Sequence, residues 1–181
     1  MKILDKVILL MVFTLVMMPG NSYAASAAEL NATADEAVNS LFAESGAARE
    51  LAEKADGMLI FPSVYKAGIG IGGEYGEGVL RIKGETVDYY STAAASIGFQ
   101  LGAQKKSIVL LFMTPEALKK FRASAGWEVG VDGSVALVEF GAGKEFDTNT
   151  IKDPIIGFVF GNKGLMYNLS LEGSKMTKIK K

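Results

Sequence analysis

Three carboxylates lie in or near the part of the chain where residue types alternate as in a β-strand. They are the first candidates for catalytic residues. Glu74, Glu77 and Asp88 could serve hydrolysis of a glycoside, which requires two facing carboxyl groups. Their spacing does not set the distance between any two of them. We therefore favour the interpretation that they are solvated residues at strand ends, and a hydrolase is the least favoured function.

A second acidic group could bind a metal ion. Asp147, Asn149 and Asp153 offer oxygen atoms, the ligands that calcium prefers, but they lack the spacing of an EF-hand loop. The segment around them is rich in turn-forming residues. We interpret it as a polar loop and predict no metal site.

The glycine pattern G-x-G-x-x-G is matched formally by Gly68, Gly70 and Gly73. A dinucleotide site requires a strand before the pattern and a helix that begins at the third glycine, so that phosphate meets free amide donors. The residues EYGEG (74–78) follow here, and they are poor helix formers with two negative charges. We predict that these glycines are structural and that no nucleotide binds.

Two residue types that dominate catalysis are missing from the chain. Its 181 residues include no cysteine and no histidine, which excludes a thiol nucleophile, a disulfide framework, a Ser-His-Asp triad and a thiolate or histidine metal site. The net charge of −1 gives no general attraction to nucleic acid. We predict a protein that is not an enzyme, needs no cofactor and does not bind nucleic acid.

Lysines are the remaining candidates, as contacts for anionic lipid head groups. Lys105 and Lys106 lie in a polar run, residues 104–107, which predicts a hairpin tip, and Lys66 follows an expected turn. Four further lysines end the chain in residues 175–181, which we interpret as a basic tail. Each lysine near a charged membrane contributes roughly 1 kcal/mol of attraction, although ordinary solubility explains the same residues.

The N-terminal residues predict export. Lys2 and Lys6 precede an apolar run, residues 7–18, and Ser22-Tyr23-Ala24 fits a small-x-small cleavage site. The apolar run is shorter than a membrane span requires. We predict a cleaved signal peptide over residues 1–24 and a periplasmic or secreted mature protein.

An amphipathic helix is predicted next, after a flexible lead-in over residues 25–32. Thr33 and Glu36 match a capping box, and apolar residues then recur at steps of three and four as far as Ala55. Gly46 is expected to kink this helix or to split it in two. Residues 29–56 hold seven acids and two bases, so this segment has a net charge of −5.

Strict alternation of residue types predicts strands in the middle of the chain. Residues 67–72 and 96–104 alternate between larger apolar residues and glycine or polar residues. Glycine along one face of a strand usually marks a bend, or a place where another backbone or a ligand approaches closely. We expect one of these at the glycine face.

Further elements are predicted from shorter signals. Residues 79–83 and 86–91 are two strands joined by a tight turn at Lys83-Gly84-Glu85. Residues 108–113 are continuously apolar, which predicts a strand buried on both faces. A short internal helix follows, because Thr114 can cap it and proline is favoured at the next position.

Two connections in the C-terminal part have specific predictions. Asp132-Gly133 is a hairpin signal, yet the alternation that starts at Trp127 runs through it unbroken, so one long bent strand is equally open. Residues 161–164 are predicted to join two strands, 155–160 and 165–171, in a hairpin.

These elements together predict an α+β domain over residues 33–174. We expect a curved or barrel-like antiparallel sheet of about seven to nine strands. The N-terminal amphipathic helix packs on this sheet, and one short helix is internal to it. Of the 21 glycines, nineteen fall between Gly57 and Gly173, a density that suits strong curvature.

The chain resembles the SYLF domain family over roughly residues 36–174. Six runs carry the likeness in the family's order: GMLIFP (57–62), AGIGIG (67–72), YGEG (75–78), GFQLGAQ (98–104), KGL (163–165) and LSLEGS (169–174). Eukaryotic members bind membrane lipids, phosphoinositides especially, and some bind actin. The chain looks like an exported bacterial member of this family.

The resemblance implies a non-catalytic lipid-binding module of the periplasm or cell exterior. Apolar side chains beside the glycine face would form a groove for acyl chains, and lysines would meet anionic head groups. Aromatic residues are expected mostly in the core, with some along this groove. The expected lipid contacts are Lys66, Gly68, Gly70, Gly72, Lys105, Lys106 and Trp127.

One departure from the family pattern changes the expected partner. In eukaryotic relatives, lipid binding is associated with a basic N-terminal segment, whereas the corresponding helix here is acidic. Phosphoinositide recognition is therefore not carried over, and an exported protein would not meet actin. We expect a lipid or membrane surface as partner, anionic in charge. The alternative is a structural or protein-interaction domain of the cell envelope, and the oligomeric state is left open.

Overall fold

Two long antiparallel strands dominate the fold, which a computed structural model describes for residues 25–139, 153–164 and 171–181. β1 (Gly57–Ile82) and β2 (Glu85–Phe112) pair along almost their whole length. The two residues between them, Lys83 and Gly84, have φ values of 53° and 84°. Positive φ at both positions gives the two-residue turn whose twist suits a hairpin. The tight turn predicted here is confirmed.

This two-stranded ribbon folds back on itself near its middle. The pairing register shifts between Ile69 and Ile71, and the two halves of β1 then lie against each other. A Cβ atom at Gly68 would lie 2.4 Å from the Cα atom of Gly72, and one at Gly78 would lie 2.3 Å from the carbonyl oxygen of Ile60. Only glycine fits such close backbone contacts. A bend at the glycine face, one of the two alternatives expected there, is confirmed.

Four shorter strands complete the sheet: β3 (Trp127–Glu128), β4 (Ala136–Glu139), β5 (Ile155–Gly164) and β6 (Lys175–Ile179). The strand order is β3-β6-β2-β5-β4, and β1 pairs with β2 outside this path. The pairs are antiparallel except for β4 with β5, which are parallel. With the two halves of β1 and of β2 counted separately, eight strands form a curled half-barrel. The predicted α+β fold is confirmed.

Helices α1 (Ala27–Glu44) and α2 (Gly46–Lys54) cover the outer face of the sheet. They are separated at Ser45, so the split predicted at Gly46 is confirmed. The predicted cap at Thr33 is wrong, because the helix begins earlier and the Ser26 hydroxyl accepts the capping bond from Glu29 N at 3.2 Å. Residues 27–32, predicted as a lead-in, are therefore helical.

The short internal helix α3 (Pro115–Ala123) is confirmed. The Thr114 hydroxyl accepts from Ala117 N at 3.3 Å, and proline occupies the first turn, where its missing N–H costs nothing. Phe121 points from this helix into the half-barrel, where its ring lies 4.9 Å from that of Phe112. α3 thereby closes one end of the inner core.

The apolar core has two layers, one inside the half-barrel and one beneath α1 and α2. Residues 108–112 are fully buried, and they alternate between the layers. Ile108 and Leu110 face the inner core, whereas Val109 and Leu111 face the helices. The prediction of a strand buried on both faces is confirmed.

Both interpretations of Asp132-Gly133 are wrong. β3 pairs with β6 and β4 pairs with β5, so the two strands lie at opposite ends of the sheet order. The chain between them turns at Asp132, whose carboxylate accepts from Glu128 N at 2.8 Å. β3 and β4 therefore do not form a hairpin, because each of them pairs with a strand from a distant part of the chain.

The predicted hairpin at residues 161–164 is also wrong, because β5 continues to Gly164 and pairs there with Gln104. Gly161 has a φ of 62° and follows Phe160, the register partner of Ser107, next to a register shift. The predicted basic tail is not a tail either, since Lys175–Ile179 forms β6 between β2 and β3.

Three predictions concern residues that the structure does not describe. The signal peptide over residues 1–24 lies outside the described residues. So do Asp147 and Asn149 of the predicted polar loop, and most of the predicted strand 165–171. Within the described part of the chain, no helix combines the length and apolar character needed to cross a bilayer.

Candidate functional site

Lys106, predicted at a hairpin tip, is buried inside the half-barrel. β2 is continuous through residues 104–107, so the predicted tip is wrong. The Lys106 side chain is 1% exposed, and its Nζ lies 2.9 Å from Oε2 of Glu74, whose side chain is 4% exposed. Alternation along β2 explains this position, because Lys106 shares its face with the buried Ile108.

Other polar side chains of the same two strands are buried as well. They are Lys66, Thr92 and Gln104, and together with the ion pair they form what we call the inner polar cluster. Gln104 Nε2 donates to Asn162 Oδ1 at 2.7 Å. Three polar atoms have no hydrogen-bond partner among the described residues: Oε1 of Glu74, the Thr92 hydroxyl and Oε1 of Gln104. Nζ of Lys106 lies close to Glu74, but it too forms no hydrogen bond of acceptable angle within the described residues. The cluster is closed to solvent, so it cannot meet a membrane surface directly.

The opposite faces of the same strands carry exposed apolar residues. Tyr65, Ile71 and Tyr75 are 59%, 72% and 52% exposed, and all three lie near the fold in the ribbon. Lys105 Nζ lies 5.6 Å from the centre of the Tyr65 ring, which is within reach of a cation–π interaction. We call these four residues the bend patch.

A groove of about 550 Å³ runs beside the bend patch. Tyr65 and Tyr75 line one side, and α1 supplies Glu29 and Leu30 on the other. The Tyr75 hydroxyl donates to Glu77 Oε1 at 3.1 Å. Partial burial raises the pKa of Tyr75, and the bond to the Glu77 carboxylate raises it further, so this hydroxyl stays protonated well into the alkaline range.

The C-terminal residue contacts two of the residues that line this groove, Ala25 and Glu77. Lys181 Nζ donates to Glu77 Oε2 at 2.6 Å and to the carbonyl of Ala25 at 2.8 Å. The lysine neutralises a carboxylate that would otherwise repel anions near the bend patch. It also joins the two ends of the described chain.

The predicted lipid contacts do not share one surface. Gly68 and Gly72 pack on each other, and Lys66 and Trp127 are buried, the latter with its ring 5.6 Å from that of Phe121. Gly70 lies in β1 at the fold, and nothing further is described at its position. Lys105 is exposed. Whether any of them binds lipid stays a prediction.

The sequence does not predict the outward apolar residues of the bend patch. Aromatic residues such as Tyr65 are expected in the core or along a groove, and no prediction concerns the exposure of Ile71 or Tyr75. The signal was present, because glycines occupy the alternate positions that face inward at Gly72 and Gly76. Side chains that alternate with inward glycines lie on the outer face of the sheet, and at Ile71 and Tyr75 this face is exposed.

The three carboxylates that were candidates for hydrolysis each form an ion pair with a lysine or arginine side chain. Glu74 pairs with Lys106, Glu77 with Lys181, and Asp88 with both Arg122 and Lys178. Among the described residues, no three acids converge on a point that could hold a metal ion. Each of the three acids is therefore paired with at least one cation.

Comparison with known proteins supports the family resemblance. The model of the Ysc84 family, described as Las17-binding protein actin regulator, matches residues 93–181. This range begins within β2 and includes α3 and the strands β3 to β6. No curated protein matches the chain. Residues 93–181 are therefore similar to the Ysc84, or SYLF, domain family, and that family is non-catalytic.

Proposed function

We propose that this chain is an exported, non-catalytic domain that binds the surface of an anionic bilayer through the bend patch. The observation that carries the proposal is Ile71, a large apolar side chain 72% exposed at the fold of the ribbon. Tyr65, Tyr75 and Lys105 lie near the same fold.

The residue types of the bend patch suit the layers of a membrane interface. An isoleucine gains roughly 1.5–3 kcal/mol when its side chain leaves water completely. Tyrosine side chains place their rings among apolar atoms and their hydroxyls in water, which is why they are enriched at bilayer interfaces. Lys105 then lies at the level of the phosphates, where a lysine contributes about 1 kcal/mol near an anionic surface.

Strand pairing supports this arrangement, because Tyr65, Ile71 and Tyr75 of β1 all pair with residues of β2. The backbone of the patch is therefore held within the sheet. A rigid patch loses little conformational entropy when it binds, so more of the contact energy remains as affinity.

Similarity to the SYLF family, together with the predicted export, also favours lipid over actin as the partner. The SYLF family is associated with lipid binding, and the matched family description names Las17 binding and actin regulation. We propose the lipid role because the N-terminal sequence predicts export. A protein outside the cytoplasm would not meet the cytoskeleton.

Vesicle flotation tests the proposal. Vesicles of phosphatidylcholine alone should bind the protein less than vesicles that also contain phosphatidylglycerol. Ile71→Ser combined with Lys105→Gln should lower the bound fraction about tenfold on the anionic vesicles. Val131→Ser is the matched control, because Val131 is 74% exposed in the turn after β3, away from the patch. Equal flotation of the parent and the double variant would refute the proposal.

A further inference from the structure

A second groove lies at the other end of the folded ribbon, beside the turn between β1 and β2. Its volume is about 530 Å³. Ile82, Pro115 and Leu118 provide an apolar floor. The cations along its rim are Lys83, Lys119, Arg122 and Lys178, and one carboxylate, Asp56, also lines it. We call it the cationic groove.

Two of the cations are fixed in position by one shared carboxylate. Arg122 Nη2 lies 3.1 Å from Asp88 Oδ2, and Lys178 pairs with the other oxygen of the same group. The Asp88 side chain is 10% exposed, whereas both cations keep about half of their surface in solvent. One negative charge between two positive charges leaves an excess of one positive charge facing the groove.

The other two cations are not neutralised by the described residues. Lys83 and Lys119 are exposed, and neither forms an ion pair within the described part of the chain. Lys83 is held in place by the tight turn, and Lys119 by α3. Glu85 and Glu116 adjoin these elements in sequence but do not line the groove.

We propose that the cationic groove binds an acidic segment of a partner protein. Charge complementarity favours an anion, because four cations from three separate elements meet one carboxylate there. The apolar floor favours a segment that also carries an apolar side chain, which would lie on Ile82 and Leu118. Because this floor lies between α3 and the turn, a flat bilayer would meet the rim lysines and leave the floor uncovered.

A defined peptide tests this inference. The probe is a fluorescein-labelled Asp-Glu-Phe-Glu-Asp peptide, measured by fluorescence anisotropy against the full chain. Replacing its phenylalanine with serine should weaken binding, and replacing its acids with lysines should abolish it. Lys83→Glu combined with Lys119→Glu should weaken binding of the probe at least about tenfold. Lys180→Glu is the control, since Lys180 is exposed and does not line the groove.

Other occupants give different outcomes. Peptide affinity that is the same for the parent and the double variant would overturn the inference. Loss of anionic-vesicle flotation in the double variant would assign the groove to lipid instead. A parent that sediments as a dimer, and a double variant that sediments as a monomer, would assign it to a second copy of the chain. If flotation depends on Ile71 but not on Lys83 or Lys119, the bend-patch proposal is supported independently of the result for peptide binding.

Discussion

Lys106 and Glu74 form an ion pair across the fold in the ribbon, with 2.9 Å between Nζ and Oε2. In the strand register Lys106 lies opposite Val64, in the first half of β1, whereas Glu74 lies in the second half. The pair therefore connects the two halves where they fold together. Both side chains are shut away from water, so the cost of desolvating each charge has to be offset by the other.

Removing one member of this pair should destabilise the protein strongly. Glu74→Gln should lower the free energy of unfolding by about 3–5 kcal/mol, because it leaves the Lys106 charge buried without a counter-charge. Replacing both residues with apolar ones, Glu74→Leu and Lys106→Met, should cost less than the sum of the single changes. Urea denaturation of the parent, Glu74→Leu, Lys106→Met and the double variant measures the coupling between the two residues. Strictly additive losses would contradict a direct interaction.

The same pair shows why the sequence predicted the elements better than their assembly. Alternation along β2 already places Lys106 on the face of Ile108 and Leu110, which is the core face. Its charge nevertheless favoured an exposed tip, because a buried lysine is costly without a partner. The partner lies in another strand and comes within reach only after the ribbon folds back. Short-range patterns contain no information on that contact.

Other predictions also succeeded where the cause is local in the sequence and failed where it depends on distant strands. The cap at Thr114 and the turn at Lys83-Gly84 were predicted correctly, because their physical causes lie within a few residues. The connection at Asp132 was not, because β3 and β4 pair with strands from elsewhere in the chain. The cationic groove gave no sequence signal at all, since its rim comes from three elements far apart in the chain.

Gly78 should tolerate no larger residue. A methyl group there would lie 2.3 Å from the carbonyl oxygen of Ile60, so Gly78→Ala should lower the free energy of unfolding by about 1–3 kcal/mol through overpacking. Gly73→Ala is the control, because a methyl group at Gly73 would have no described atom within 4 Å beyond its chain neighbours. That change should be neutral or raise stability by up to about 1 kcal/mol. Thermal melts that rank the two variants equally would contradict the backbone contact.

Alkaline pH should weaken the fold through Tyr90. Burial raises the pKa of Tyr90 above its ordinary value of 10.0, the Asp88 carboxylate raises it further, and Arg122 opposes both. As pH rises, the unfolded chain therefore loses this proton before the folded chain does. The stability contribution is complete below about pH 10 and is lost as pH rises through the folded pKa.

Urea denaturation between pH 8 and pH 11.5, about the range in which tyrosine titrates, measures this effect. Tyr90→Phe should lose less stability over this interval than the parent, because the variant has no proton to lose at that position. Tyr65→Phe is the comparison, since the Tyr65 ring is mostly exposed. Identical pH profiles for the parent and Tyr90→Phe would show that the buried hydroxyl does not contribute.

We predict that export removes residues 1–24, so N-terminal sequencing of the mature protein should find Ala25 or Ser26 first. Cleavage there would leave Ser26 in place to cap α1, and loss of such a cap costs about 1 kcal/mol. The Ala25 carbonyl also accepts a hydrogen bond from Lys181. A protein that retains Met1 in a membrane fraction would contradict the cleaved signal peptide.

Binding to anionic vesicles should weaken as salt rises, and Lys105 should account for most of that sensitivity. Exposed charges are screened over about 8 Å at physiological ionic strength, so a lysine at the phosphates loses attraction in high salt while the contribution of Ile71 remains. Lys105→Gln should therefore flatten the salt dependence without abolishing binding. Lys106→Gln is unsuitable for this purpose, because it would break the buried pair with Glu74.

The control for Lys105→Gln has to change an equal charge without disturbing the sheet. Deletion of residues 175–181 would remove β6, whereas Lys180→Gln leaves that strand intact. The acidic residues of α1 and α2 oppose approach to an anionic surface, so we expect weak binding that requires one orientation. Flotation with the same salt dependence for Lys105→Gln, Lys180→Gln and the parent would remove Lys105 from the binding surface. The exposed apolar residues would then be the remaining contact with lipid.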